Sequence, residues 1–283
     1  MNASADAVAT PPPPLLSRAP SLREALGVLV LYFGLQMLVA MVLAALLGLV
    51  LGIHFGARAG SAVEQVKATL SQPNVVAAMM AATLTITALI MLWLVHRLWP
   101  GSWRRSSAIE GFGLTRPSHA AFFAAALLLG VATPFLGGAL TQWLAHGQPI
   151  TQEVANLGRQ ASLLSRLALA GVAVTLGPLV EEVLFRGVLL SALLGWRRGP
   201  GVNRMYTRTR MLAAVAISAS LFGLVHLPEL GYLWFAVPNL VLLGVGAAWL
   251  RLQSGSIWPA VLAHGANNLV AVAGWFLVTH PPA

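Results

Sequence analysis

Residues 25–53 carry no charged side chain, and an apolar run longer than about 20 residues reads as a helix crossing the hydrocarbon of a bilayer. In that solvent every backbone N–H and C=O must be satisfied within the protein, so the chain is restricted to helical bundles and closed barrels. Six more apolar segments fall at about 75–95, 120–144, 167–194, 211–227, 232–250 and 257–278. These runs are continuous rather than alternating, which predicts an all-α, polytopic transmembrane bundle of about seven spans. The fifth segment is short and is followed by Pro228, so irregular backbone there requires cover from protein or water. The balance of 58% hydrophobic to 9% charged residues, with a mean hydropathy of +0.78, leaves no stretch suited to a separate soluble domain.

The organisation follows. Residues 1–20 are rich in Ala and Pro, with four prolines at positions 11–14 and another at Pro20, and they read as a disordered tail. Residues 21–283 read as a single transmembrane domain. The first apolar segment is too long for the core of a cleavable signal, so it reads as a retained span. Twelve arginines fall on one side of the spans: Arg18, Arg23, Arg97, Arg104, Arg105, Arg116, Arg197, Arg198, Arg204, Arg208, Arg210 and Arg251. Arg58, Lys67, Arg159 and Arg166 fall on the other. The excess of positive charge puts the N-terminus in the cytoplasm and the C-terminus outside, as expected of a multi-pass plasma-membrane protein. The net charge of +9 is thus spread over span ends, where it meets anionic lipid; it does not form a nucleic-acid-binding patch. With no cysteine, disulfides, thiolate metal sites and a Cys nucleophile are excluded. Residues 150–166, with Glu153, Arg159 and Arg166 among apolar neighbours, suit an interfacial helix or an ordinary surface segment.

Chemistry concentrates in the fourth apolar segment, in the run Gly177-Pro178-Leu179-Val180-Glu181-Glu182-Val183-Leu184-Phe185-Arg186-Gly187. Ionisable groups at membrane depth are costly, so their presence marks a functional-site candidate. On a helix Glu182 and Arg186 are four apart and face one another, while Glu181 is turned by roughly 100° onto the next face. One carboxylate can therefore be neutralised and the other left free to react, although two acids and an arginine could also serve packing or assembly. Pro178 frees the carbonyl of Val174 and lets the helix bend or open near Glu181. Gly177 and Gly187 permit close helix contact.

Two further spans carry polar pairs at helical spacing. Phe222 and His226 share a face at the end of the fifth, where the ring could exclude water or stack beside the imidazole. A single His near a span end is also an ordinary interfacial residue. His264 and Asn268 share a face in the seventh, with Asn267 pointing elsewhere. Such a pair can donate hydrogen bonds to an oxyanion, or simply bond between helices. Together the three sites supply acid, base and oxyanion donors, the set needed to hydrolyse an amide with activated water. Neither a G-x-S-x-G elbow nor an H-E-x-x-H helix is present, which leaves a Glu–His water-activating site or a bound metal.

Glu181-Glu182-x-x-x-Arg186, Phe222-x-x-x-His226 and His264-x-x-x-Asn268 resemble the three motifs of the CPBP (Abi) family of intramembrane proteases, which includes the type 2 CAAX prenyl endopeptidases. The resemblance covers residues 165–275, including Phe185-Arg186-Gly187 and the lead Gly255-Ser256-Ile257-Trp258-Pro259. It implies an intramembrane glutamic endopeptidase with the site between the fourth, fifth and seventh spans. Glu181 and His226 would activate water and His264 and Asn268 would stabilise the oxyanion, with Glu182, Arg186 and Phe222 supporting. No cofactor is favoured; a divalent metal, if present, would take Glu181, His226 and His264 as ligands. The implied substrate is a membrane-embedded or lipid-anchored protein or peptide, prenylated or not. The Ala- and Arg-rich, Lys-poor composition is of a bacterial kind. The competing class is a non-enzymatic scaffold, immunity protein or transporter whose charged groups line a path.

Depth poses a geometric question. At 1.5 Å per residue, His226 lies about 22 Å along a span entered at Met211, and His264 only about 12 Å into the last. Tilt, a funnel-shaped cavity or a fifth helix set at another depth is therefore expected.

Overall fold

The computed structural model describes residues 19–56, 62–108, 111–146, 153–196 and 207–277. Residues 1–18 of the expected tail, together with Arg58, Arg197, Arg198 and Arg204, lie outside the described residues. Among the described residues there are helices and turns and no strand. Seven helices are long and apolar enough to cross a membrane, as expected.

The first, α1 (Leu22–Gly56), opens with Ser21 and Glu24 capping each other: the Ser21 N–H and hydroxyl both donate to Glu24 Oε2, at 2.8 and 2.7 Å. This S-x-x-E pattern satisfies orphan donors at a helix start. A short α2 (Ala62–Leu70) leads into α3 (Pro73–Leu98), and α4 (Ala121–Ala145) is the third span. The fifth and sixth spans are α9 (Arg208–Val225), capped by the Thr207 hydroxyl, and α10 (Val237–Ser254), closed by Gly255 at φ 68. The last is α11 (Trp258–Leu277). Helix α4 packs on α10 and α11, α9 on α10, and α3 on α1 and on the fourth span. Where α4 meets α11, a Cβ on Gly130 would come 2.3 Å from the Ala263 carbonyl oxygen, so only glycine permits that approach.

The fourth span is the irregular one. Its parts are α6 (Leu163–Val174), α7 (Leu176–Glu182), a π-helical stretch Val183–Leu189 and α8 (Leu190–Gly195). The break falls at Thr175 (φ −119, ψ −74), the turn where Pro178 cannot supply its N–H and its ring would strike the preceding carbonyls. The opening expected near Glu181 thus lies one turn and a half earlier, and a wider π turn follows the carboxylates.

Two basic residues used for orientation have structural roles. Buried Arg166 donates to the carbonyls of Trp275, Arg159 and Ala161, tying α6 to the end of α11 and to α5 (Glu153–Gln160). Of the segment expected at 150–166, the described part from 153 is α5 and the first turn of α6, with Arg166 turned into the protein, and residues 150–152 lie outside the described residues. Arg251, also buried, donates to the carbonyls of Ser106 and Gly111 at 2.8 Å each. Ser191 bonds the Ala108 and Gly111 carbonyls, so the connection between α3 and α4 is pinned over the ends of α8 and α10.

Candidate active site

Glu182 and Arg186 pair as their spacing predicts: Arg186 Nη1 donates to Glu182 Oε1 at 3.0 Å, and both side chains are 0% exposed. The other guanidinium nitrogen donates to the Gly244 carbonyl of α10 at 3.1 Å. Glu182 Oε1 also accepts from Nδ1 of His264 at 3.0 Å. One buried carboxylate thereby joins the fourth span to the seventh, and its arginine joins the fourth to the sixth. A buried charge with fewer partners would be strongly destabilising.

Glu181 turns the other way. Its Oε2 lies 3.5 Å from His226 Nε2 and 3.8 Å from His264 Nε2, and its side chain is 16% exposed. The neighbouring acid is sealed, and this one keeps some exposure beside two imidazoles. Helix α9 makes the meeting possible by stopping short. It ends at Val225, with His226 as its cap residue, level with Glu181 near the middle of the fourth span. The depth mismatch is resolved in favour of a fifth helix that terminates inside the bundle. The chain then turns back through residues 226–233, with hydrogen bonds such as Leu230 N–H to the His226 carbonyl and Tyr232 N–H to the Leu227 carbonyl. These satisfy backbone groups that a helix would otherwise satisfy at that depth.

Hydrogen bonds define the ring orientations. His226 Nδ1 sits 2.7 Å from the Phe222 carbonyl, which can only accept, so Nδ1 carries the proton and Nε2 faces Glu181. The Phe222 ring lies at the centre of the cluster. Its centroid is 4.8 Å from that of His226, 5.3 Å from that of His264 and 5.2 Å from that of Phe185. The Arg186 guanidinium carbon sits 4.4 Å above it. Phe222 thus lies tilted against His226, edge-on to His264, and forms an apolar wall between the buried arginine and the histidine pair.

Asn268, one turn beyond His264, donates from Nδ2 to the Ala173 carbonyl at 2.8 Å and accepts from Asn267 Nδ2 at 3.2 Å. Ala173 lies in the turn before the Thr175 break, where the helix ladder is interrupted. The break supplies an anchor for the amide. Among the described residues no three His or carboxylate side chains form a metal-ligand cluster.

Glu181, Glu182, Arg186, Phe222, His226 and His264 are therefore joined in one cluster, while Asn268 bonds Ala173 and Asn267 one turn away. Sequence reasoning missed Tyr32 of α1, a buried phenol on the helix that packs against the π-helical stretch after the two glutamates. It also missed Glu229, exposed in the turn after α9, three residues beyond His226. A hydroxyl in a span with few polar side chains was the available signal for Tyr32. For Glu229 it was an acid three residues from His226.

Comparison with curated proteins and with solved structures gives no match. Residues 163–270 match the family model described as Type II CAAX prenyl endopeptidase Rce1-like. The matched segment supplies Glu181, Glu182, Arg186, Phe222, His226, His264 and Asn268, and the Rce1-like match agrees with the resemblance of their motifs to the CPBP family.

Proposed function

We propose that the protein is an intramembrane endopeptidase that hydrolyses a peptide bond of a membrane-associated protein or peptide with water activated by Glu181 and His226. The observation that carries this reading is the convergence of Glu181 Oε2 on Nε2 of His226 and His264 at 3.5 and 3.8 Å. A water between the carboxylate and His226 can lose its proton to either base as its oxygen attacks the scissile carbonyl carbon. The oxyanion that forms is held by His264 and Asn268. Asn268 uses one N–H on Ala173 and keeps the second for this purpose. His264 already directs Nδ1 at Glu182, so donation to the oxyanion requires a second proton on Nε2, and the Glu182 carboxylate is the counter-charge for that imidazolium. With Glu181 and Glu182 negative and Arg186 and His264 positive, the buried set is neutral. Collapse of the tetrahedral intermediate breaks the C–N bond, and the departing amine takes the proton first removed from water.

The reading is metal-free. Asn268 beside His264 suits hydrogen-bond donation better than completion of a ligand set, and the Glu182 bond fixes His264 for the same task. Activity is expected to persist in chelator. Loss of activity on chelation, restored by one added divalent ion that is also stoichiometric in the purified protein, overturns this choice and makes Glu181, His226 and His264 ligands. The domain match supports a CAAX-type substrate class; lipid-anchored or membrane-embedded clients share the requirement of reaching a site inside the bundle. Pull-down with Glu181→Gln as a substrate trap, read by mass spectrometry, identifies the client. Full complementation of a deletion by well-expressed Glu181→Gln and His226→Ala variants would instead support a non-enzymatic scaffold.

A further inference from the structure

Glu181 and His226 sit at one edge of the core. The main cluster of buried apolar residues joins the start of α1, the end of α3, the fourth span from Val180 onward, the later part of α10, and Ile257 just before α11. Successive spans alternate in direction, so these parts all lie toward the face that carries Arg23, Arg97 and Arg251. That face is closed. Phe112, fully buried in the connection between α3 and α4, covers Gly187, where a Cβ would come 3.1 Å from the Phe112 Cβ. The Ser256 hydroxyl donates to the Thr115 carbonyl at 2.6 Å and the Ile257 N–H to the Gly113 carbonyl at 2.8 Å, adding to the bonds from Arg251 and Ser191. Between the site and this cap, residues 182–194 are all buried.

The opposite side is built differently. A smaller cluster, including Ala77, Leu169 and Trp275, holds α3, α6 and α11 together there, and α9 and α10 take no part in it. Beyond His226 the chain reverses through residues 226–233, where Pro228, Glu229, Gly231 and Tyr232 are exposed. Helix α10 starts level with Gly137 of α4, whose Cβ, if it had one, would overlap the Asn239 side chain. From there α4 runs on to Ala145, about 12 Å further, and α11 continues from His264 to Leu277 for about 20 Å. The turn is therefore the floor of a recess below the ends of its neighbours. Irregular backbone and an exposed carboxylate at that depth require water. Glu181 and His226 keep 16% and 15% exposure beside this floor, and a gap toward lipid would bring them no water for hydrolysis.

We propose that the recess is the entrance to the site, that it faces the extracytoplasmic side, and that the substrate is a peptide presenting its scissile bond from that side of the bilayer. This route rests on the protease reading above. The arginine-rich face is cytoplasmic by its charge, and the cap closes it.

The chain has no cysteine, so single cysteines in the full-length protein report access without background. The probe is a sulfonated maleimide, which does not cross the bilayer, applied to right-side-out and to inverted membrane vesicles. Glu229→Cys and Tyr232→Cys should be labelled in right-side-out vesicles and spared in inverted ones. Arg104→Cys, exposed on the arginine-rich face, should show the reverse. Val188→Cys replaces a buried side chain between Glu181 and the cap with one of similar size, and should resist labelling from both sides until the protein is denatured. Client fragments released by wild type and absent with Glu181→Gln, read by mass spectrometry, should have their new termini on the extracytoplasmic side of the client's span. Labelling of the two turn positions from the cytoplasmic side, labelling of Val188→Cys from that side, Arg104→Cys labelled in right-side-out vesicles, or client termini in the cytoplasm overturns the route and leaves the protease reading standing. Wild-type cleavage by Glu181→Gln overturns the protease reading and the substrate assignment with it, whatever the labelling shows.

Discussion

The first span and the fourth are similar in length, 35 and 33 residues, and use that length in opposite ways. Helix α1 buries four residues near its start and exposes many of the others, including Met37, Leu46 and Val50. In the fourth span every residue from Glu182 to Leu194 is buried. Lipid solvates an aliphatic side chain as well as a protein interior does, so α1 needs little protein cover along its length. Paired charges have no such solvent in hydrocarbon and must be enclosed by other helices. The difference teaches where chemistry can be located in such a chain. Charged groups are confined to the surfaces that helices hide from lipid, and a helix as exposed as α1 can contribute only at its short buried face, where Tyr32 lies.

The sharpest way to break this contrast is within the fourth span, at its one acid that is not sealed. Glu181→Gln preserves shape and removes the base. A loss of at least about 1,000-fold in kcat is expected, about 4 kcal/mol of barrier, with thermal stability unchanged. Equal losses of activity and stability in that variant would mean that Glu181, like Glu182, is structural.

Next in size is the sealed pair. Arg186→Leu leaves Glu182 buried with His264 as its remaining ionic partner, and about 3–5 kcal/mol of stability should be lost, read as a lower unfolding temperature and lower recovery from detergent. If Arg186→Leu folds as well as wild type and loses only activity, the division of labour between the two glutamates is drawn wrongly.

A smaller effect tests the oxyanion assignment. Asn268→Ala removes one donor and should lower kcat by about 100-fold, with KM little changed. An unchanged kcat with lower stability would confine Asn268 to its bond with Ala173.

The smallest effect is expected on α1. Leu46→Ala and Val50→Ala, both on the exposed part of the helix, should alter stability by no more than about 0.5 kcal/mol and leave turnover unchanged. A large loss from either would show that this face meets another protein surface rather than lipid.

Much of this architecture is legible in the chain because two periodicities are local. Apolar runs of spanning length force helices whatever they pack against, and the seven spans lie within a few residues of their expected ends. The Glu182–Arg186 pair is set by a four-residue spacing on one helix, as are the shared faces of Phe222 with His226 and of His264 with Asn268. Which of the two adjacent acids would be sealed was also visible, since only Glu182 faces the arginine.

Tertiary structure decided what depends on relations between helices. The meeting of His226 with His264 required α9 to end inside the bundle, and helix length along one chain carries no information about depth relative to another. The buried roles of Arg166 and Arg251, which a count of basic residues treats as flanking charges, arise from carbonyls on distant segments. The Glu182–His264 bond joins residues 82 positions apart. Sequence alone determined that this protein is a helical membrane bundle with ionisable residues paired at helical spacing, because those properties follow from solvent and from helix pitch. Only the packing of helices decided which nitrogen faces which oxygen, because that is set by where each helix stops and what lies across from it.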